Sequence, residues 1–269
     1  MKRIFFLLLL LPSLVFSQRQ IEDGTKLTKT DFLSLNNQLY KTTFEYFSDF
    51  LNTVGTATGG TDIIAVNSGT GAATSAGTAW ASNVVGVVRS TTGTTATGRT
   101  AVVSAATAVS LGGGAWKYEE KIRIPTTSNS TERYQFAVGF IDVFTSVNQV
   151  DGAYLLYDEG GATTGSTATG NWQTVTTSNS SRTFNQNAQN STAVVQGTEI
   201  TVSIEVNAAA NSVVFKVNGV IIGTHTSTIP TGAGRETGFG WLLIKSVGTT
   251  ARTVDVDYLK VLQQFTTTR

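Results

Sequence analysis

The stretch "VVFKVNGVIIGTH", residues 213–225, places two apolar-rich segments on either side of an Asn-Gly pair. Asn218-Gly219 can supply the two positive φ angles that a two-residue primed turn demands, so the stretch is predicted to be a β-hairpin. It also holds the chain's one histidine, His225. A histidine acting as general base needs an orienting carboxylate and a nucleophile, and the sequence identifies neither. The alternation of "IIGTHTST" instead predicts that His225 sits at an exposed strand end.

The alternation continues outward from the hairpin. In "WKYEEKIRI", residues 116–124, Trp116, Tyr118, Ile122 and Ile124 point one way, while Lys117, Glu119, Lys121 and Arg123 point the other. That describes a strand with one wet face, and Pro125 ends it. The segments at 133–140 and 152–158 are richer in apolar residues and suit central strands, and those at 199–207, 238–245 and 252–262 complete the series, with Gly, Asn and Ser loops between them. Upstream, "NVVGVVRS" and "RTAVVSA" flank a glycine-rich turn, and "FEYFSDFL", residues 44–51, is rich enough in aromatics to open the first strand. Such a series implies two packed antiparallel sheets of the jelly-roll kind.

Composition agrees. The 269 residues are 40% hydrophobic and only 14% charged, against about 25% charged in an average soluble protein. Neutral Thr, Ser, Asn and Gln must therefore cover the surface, and threonine favours pleated, half-buried positions. The formal charge is +1 with no basic stripe, which argues against a nucleic-acid groove. There is no cysteine, so thiol nucleophiles, disulfides and zinc–thiolate sites are excluded.

The first seventeen residues differ from the rest. Lys2 and Arg3 precede an apolar run that breaks at Pro12, and Ser17 offers a small residue before Gln18, which is the pattern of an export signal. The run falls short of the ~20 apolar residues that span a bilayer, so a mature form beginning at Gln18, with no membrane segment, is expected. In "TKTDFLSLNNQLY", residues 28–40, Phe32, Leu35 and Leu39 lie at helical spacing behind a Thr N-cap. The expected organisation is a signal over 1–17, a helical extension over 18–42 that could join copies of the chain, a sandwich over 43–262 and a tail over 263–269.

The order of "DGAYLLYD", "NWQTVT", "ITVSIEVN", "VVFKVNGVIIGTHTSTIP" and "GTTARTVDVDYLKV" resembles concanavalin A-like jelly-roll modules of phage virion proteins, especially tail or head fibres. "RSTTGTTATGRT", residues 89–100, resembles a segment that precedes the central strands of such modules. The resemblance implies an all-β, concanavalin A-like jelly-roll sandwich, here with a short N-terminal helix. It also implies a noncatalytic structural or binding role at a virion surface, contacting host glycans. The export signal favours an alternative, a secreted bacterial carbohydrate-binding protein or adhesin outside the cell. A glycoside hydrolase is the third reading.

Sugar-cleaving members of this fold alternate two glutamates and an aspartate along one strand, E-x-D-x-x-E, to place two carboxyls across the scissile bond. Asp255 and Asp257 in "TVDVDYL" are the nearest match and lack both glutamates. Glu119 and Glu120 are adjacent and face opposite sides of a strand. No catalytic residue is therefore expected. For sugar binding, flat rings beside amides or carboxylates are the useful groups, which selects Trp172, Asn171, Tyr154, Tyr157 and Asp151. Tyr154 and Tyr157 are three positions apart, so only one of them can line a given face. No cofactor is expected. Asp142, Asp151, Asp158 and Glu159 could supply oxygen ligands to Ca²⁺, but they lack the dense spacing of a loop site.

Overall fold

The computed structural model describes residues 43–50, 55–56, 63–160, 166 and 169–267. Strands are numbered in chain order. Sheet A holds β1 (Thr43–Ser48), β4 (Ala72–Ala76), β5 (Val88–Thr92), β7 (Gly114–Arg123), β12 (Glu199–Val206), β13 (Val213–Val217), β14 (Val220–His225) and β16 (Thr253–Phe265). Sheet B holds β2 (Gly55–Thr56), β3 (Ile64–Ser68), β6 (Arg99–Val103), β8 (Arg133–Ile141), β9 (Gly152–Asp158), β10 (Thr169–Ser178), β11 (Ser181–Phe184) and β15 (Gly238–Val247). The order in sheet A is β14-β13-β12-β7-β16-β5-β4, with β1 also beside β16, and in sheet B β11-β10-β9-β8-β15-β6-β3-β2. The fold is an all-β sandwich of two sheets.

One part of the expected fold class needs correcting. Among the described residues every regular element is a strand, so the class carries no helix. The helix expected at 28–40 and the export signal expected at 1–17 lie outside the described residues. At the other end β16 continues to Phe265, which pairs with Gly114, so the sheet runs past the expected edge at 262.

The hairpin forms as its turn chemistry requires. Asn218 and Gly219 adopt φ of 50° and 77°, and Val217 pairs with Val220. Asn218 also exchanges bonds with Thr201 on β12: its N–H donates to the Thr201 carbonyl at 2.7 Å, and its side-chain oxygen accepts the Thr201 N–H at 2.8 Å. The glycine-rich turn behaves differently from a hairpin. β5 lies in sheet A and β6 in sheet B, so residues 93–98 carry the chain from one layer to the other. The buried Lys245 holds this corner, its Nζ donating to the Gly93 carbonyl at 2.7 Å and its N–H to that of Gly98 at 2.9 Å.

Period-two burial on β7 sets the core. Trp116, Tyr118 and Ile122 face sheet B, and Trp116 and Tyr118 meet Phe140 edge-on at 6.0 and 5.8 Å. Burying each such side chain stabilises the fold by roughly 1.5–3 kcal/mol. The other face of sheet B is also apolar. Ala137, Tyr154, Leu156, Val175 and Leu242 form a second cluster there, partly roofed by Phe144 and Val147 of the β8–β9 loop.

Glu120 follows the same period and is sealed among the core residues with no exposed surface. Tyr118 donates to its Oε2, while Oε1 has no hydrogen-bond partner. Burial pushes the carboxyl from 4.5 up to about 8, against the opposing bond from Tyr118. Between these values the folded state holds a proton that the unfolded chain has lost, so stability falls as pH rises through the window. The decline amounts to as much as about 5 kcal/mol. Glu120→Gln cannot ionise and should abolish it. Urea midpoints at about pH 5 and about pH 8 check this; an equal drop in both proteins would clear Glu120 of the effect.

Candidate functional site

The solvent face of sheet A is built from the residues that alternate with its core. Across β12, β7, β16 and β5 the register aligns Glu199, Arg123, Asp255 and Arg89. The next row aligns Thr201, Lys121 and Tyr258, and the one after it Ser203, Glu119, Lys260 and Phe47 of β1. A β-bulge between Val256 and Tyr258 inserts Asp257 into β16, where the strand passes from pairing with β5 to pairing with β1.

The charges on this face hold one another. Arg89 grips Asp255 with two bonds of 2.6 and 2.8 Å. Lys121 bridges Glu199 at 2.9 Å and Asp257 at 3.2 Å. Lys117 pairs with Glu119, Lys216 with Glu205 and Lys260 with Glu45. Burial raises the Glu199 carboxyl, but bonds from Trp80 and Lys121 outweigh it and leave the group below its ordinary range. Glu119 is lowered in the same way, with Lys117 and Tyr258 overcoming its burial.

Aromatic rings stand at both ends of this charged strip. Phe47 is 57% exposed and its ring lies 6.0 Å from that of Tyr258, inclined by 34°. At the far end Trp80 donates its indole N–H to Glu199 at 2.7 Å, and the Arg123 guanidinium sits over its ring at 5.6 Å. Neither ring was picked out from the sequence. The signal was present, since Phe47 breaks the pattern of "TFEYFS" by putting a large apolar side chain on the wet face. Trp80 is a lone indole in a stretch of Gly, Thr, Ala and Ser.

The residues selected from the sequence lie elsewhere and do not converge. Trp172 is packed edge-on against Phe136 in the core, and Tyr157 lies between Trp172 and Tyr134. Tyr154 belongs to the cluster on the other face of sheet B and donates to the Val147 carbonyl. All three rings are buried, so none offers a free face to a ligand. Asp151 is buried as well, accepting from the Asn179 N–H at 2.9 Å and from Arg235 at 3.2 Å. Asn171 is half-buried and donates to Ser191 at 2.7 Å.

The four acids considered for calcium are engaged separately. Asp142 accepts the Val150 N–H, Asp158 accepts from Gln135 and Ser166, and Glu159 accepts from Tyr157. Among the described residues no group of three or more His, Asp or Glu could hold a metal ion.

A cavity of about 430 Å³ opens on the inner side of β1, lined by Phe44, Tyr46, Ile64, Ser104, Ala105, Ala108, Val109 and Phe239. No charged side chain lines it. The Ser104 hydroxyl accepts the Phe239 N–H and donates to the Ala105 carbonyl.

His225 is not at an exposed strand end. It is fully buried, edge-on to Phe215 at 5.0 Å, and joins the two sheets. Its Nε2 accepts the Gln186 N–H at 3.1 Å, so that nitrogen carries no proton. The proton then sits on Nδ1, which donates to Thr176 at 2.7 Å, while Thr174 lies 2.8 Å from Nε2. The misreading came from the "GTHT" alternation, which resembles a wet strand end. The polar partners are in fact threonines on β10 of the facing sheet.

Solved structures with a similar two-sheet fold include lectin-like proteins and a glucanase. Protein SO2946 of Shewanella oneidensis MR-1 is 15% identical with a TM-score of 0.60, the match covering 91% of this chain and 97% of that one. Arcelin-5, a lectin-like defense protein of Phaseolus vulgaris, is 11% identical with a TM-score of 0.53 over 83% and 99%. An endo-1,3-beta-glucanase of Streptomyces sioyaensis is 15% identical with a TM-score of 0.50 over 82% and 95%. More narrowly, residues 83–257 match the family described as SO2946-like, C-terminal domain, and the chain belongs to that family. A search of curated proteins gives no match.

Burial lowers the His225 pKa from 6.5 to about 4. Between these values the unfolded chain binds a proton that the folded state refuses, so stability falls as pH drops from 6.5 to 4, by as much as about 3 kcal/mol. His225→Gln should flatten that limb and cost about 1–3 kcal/mol at neutral pH through the disturbed inter-sheet bonds. The comparison belongs in the Glu120→Gln background, because Glu120 has the opposite slope over part of this range. An unchanged acid limb in the double variant would assign the loss to other groups.

Proposed function

We propose that this protein is a noncatalytic carbohydrate-binding sandwich that takes glycan on the solvent face of sheet A. The observation that carries the reading is the exposed Phe47 ring beside Tyr258, on a face dense in hydrogen-bonding groups. A flat ring covers the apolar face of a sugar, while neighbouring Lys groups donate to its hydroxyls and Glu groups accept from them. The lectin-like neighbours support the reading at the level of fold.

The noncatalytic part rests on the carboxyls. A glycosidase keeps one carboxyl protonated by raising its pKa beside a second that stays ionised. On this face Glu119 and Glu199 are lowered, and Asp255 and Asp257 are tied to Arg89 and Lys121. Of the described carboxyls whose pKa is raised, Glu120 is sealed in the core and Asp142 caps its own loop.

The setting we propose is display outside the cell, on a virion or as a secreted adhesin. The resemblance to phage fibre modules favours the first and the leader-like N-terminus the second. Expressing the full chain and sequencing the N-terminus of protein in the medium separates them, since cleavage before Gln18 favours secretion.

On an array of cell-surface glycans the wild type should bind a subset of sugars, and Phe47→Ala should weaken that binding tenfold or more, ~1.4 kcal/mol. No reducing ends should be released from any bound glycan. Binding that survives Phe47→Ala undiminished would remove sheet A from the role, and turnover would make the protein an enzyme.

A further inference from the structure

We infer that the ligand of the sheet A strip is an uncharged oligosaccharide, bound as a chain of more than one ring running across the strands. This rests on the reading above that the strip binds sugar, and it adds the class of sugar.

The first observation is charge compensation. The strip carries Arg89, Lys117, Lys121, Arg123, Lys216 and Lys260, and against them Glu45, Glu119, Glu199, Glu205 and the buried Asp255 and Asp257. Six cations meet six anions, and all but Arg123 stand in an ion pair within the strip. Arg123 lies between Glu199 and Asp255 in the register, with its guanidinium over Trp80. An incoming uronate or sulfate would have to break one of these pairs or draw Arg123 away from Trp80, and would meet a carboxylate beside every cation. Truncating or displacing one partner of a paired, partly buried charge leaves the other unsatisfied, which is the costly direction. Neutral hydroxyls carry no such penalty, because they can accept from a lysine and donate to a carboxylate while the ion pair stays closed.

The second observation is extent. Trp80 is bound to Glu199 on β12 and Phe47 lies on β1, with β7 and β16 between them. Three inter-strand steps amount to ~14 Å, longer than a single sugar ring. Both ends carry an aromatic group and the middle carries hydrogen-bonding groups, so a chain gains contacts that a monosaccharide cannot make.

Affinity electrophoresis of the full-length protein tests the inference with neutral probes (laminarin, mannan, dextran and galactan) and acidic ones (alginate, polygalacturonate and hyaluronate). Wild type and Phe47→Ala are run at low and high NaCl. The exposed Phe47 makes folding of the variant straightforward to confirm by its melting temperature, and Phe47→Trp supplies a variant that keeps a ring.

The expected result is retardation by at least one neutral polysaccharide, insensitive to salt, weakened tenfold or more in Phe47→Ala and retained in Phe47→Trp. Monosaccharides should compete at least tenfold less well than oligosaccharides. Retardation by acidic probes alone, lost in Phe47→Ala and weakened by salt, overturns the uncharged class while leaving sugar binding on this face intact. Equal competition by monosaccharides overturns the chain. Binding indifferent to Phe47→Ala, or no retardation by any probe, removes the site and with it the reading on which the inference rests.

Discussion

The strict two-residue alternation along β7 is the constraint on which the rest of the molecule depends. This strand lies between β12 and β16 and therefore sets the register of both. A slip of one residue would send Trp116, Tyr118 and Ile122 to water and bring Lys117, Glu119, Lys121 and Arg123 between the sheets. The apolar layer and the ionic face are consequences of the same register. Glu120 is the one member that gains nothing from it. It is carried into the core by its position between Glu119 and Lys121, where only its protonated form is comfortable.

Against that regularity the bulge at Asp257 is the main local departure. A continuous β16 would alternate without a break, and Asp255 and Asp257 would stand two residues apart on one face, as the sequence suggests. The inserted residue instead lets Tyr258 take the place opposite Lys121, next to Phe47. Asp257 then meets Lys121, which also holds Glu199, so a single lysine links β7 to β12 and β16. Bulges re-aim side chains at the cost of a ladder bond. Here the re-aimed side chain is the tyrosine that supports the exposed ring.

Much of the fold was readable in advance because period-two patterning is local. The strands from Trp116 onward, the Asn218-Gly219 hairpin, the first strand at Phe44 and the opposed facing of Glu119 and Glu120 all follow from residues close in sequence. Partnership was not readable. β5 and β6 look like the two arms of a hairpin, yet they belong to different sheets, because the glycine-rich turn between them is a corner tied down by Lys245 from β15. His225 was misread for the same reason. Its partners Thr174 and Thr176 are some fifty positions away, and nothing near residue 225 announces them. Trp172, Tyr154 and Tyr157, read from the sequence as sugar-facing, are buried because their strands are covered on both faces, where ring content signals core. Phe47 is instead an exposed ring, an apolar side chain out of phase with its neighbours.

β1 separates an apolar cavity on its inner side from the charged face on its outer side. Its inward residues Phe44 and Tyr46 wall the cavity, while its outward residues Glu45 and Phe47 edge the strip. A pyranose sealed in the cavity would find no charged group, and Ser104 already spends its hydroxyl on backbone. Each sugar hydroxyl left unpaired there would cost about 1–3 kcal/mol, and two or three of them would cancel what the aromatic walls supply. On the strip the same hydroxyls remain in reach of lysines, carboxylates and water, and only the flat apolar face needs covering. Phe47 meets that need because one side of its ring is already supported by Tyr258 while the rest faces solvent. The polar face of this sheet, rather than its apolar cavity, is therefore where we propose that sugar binds.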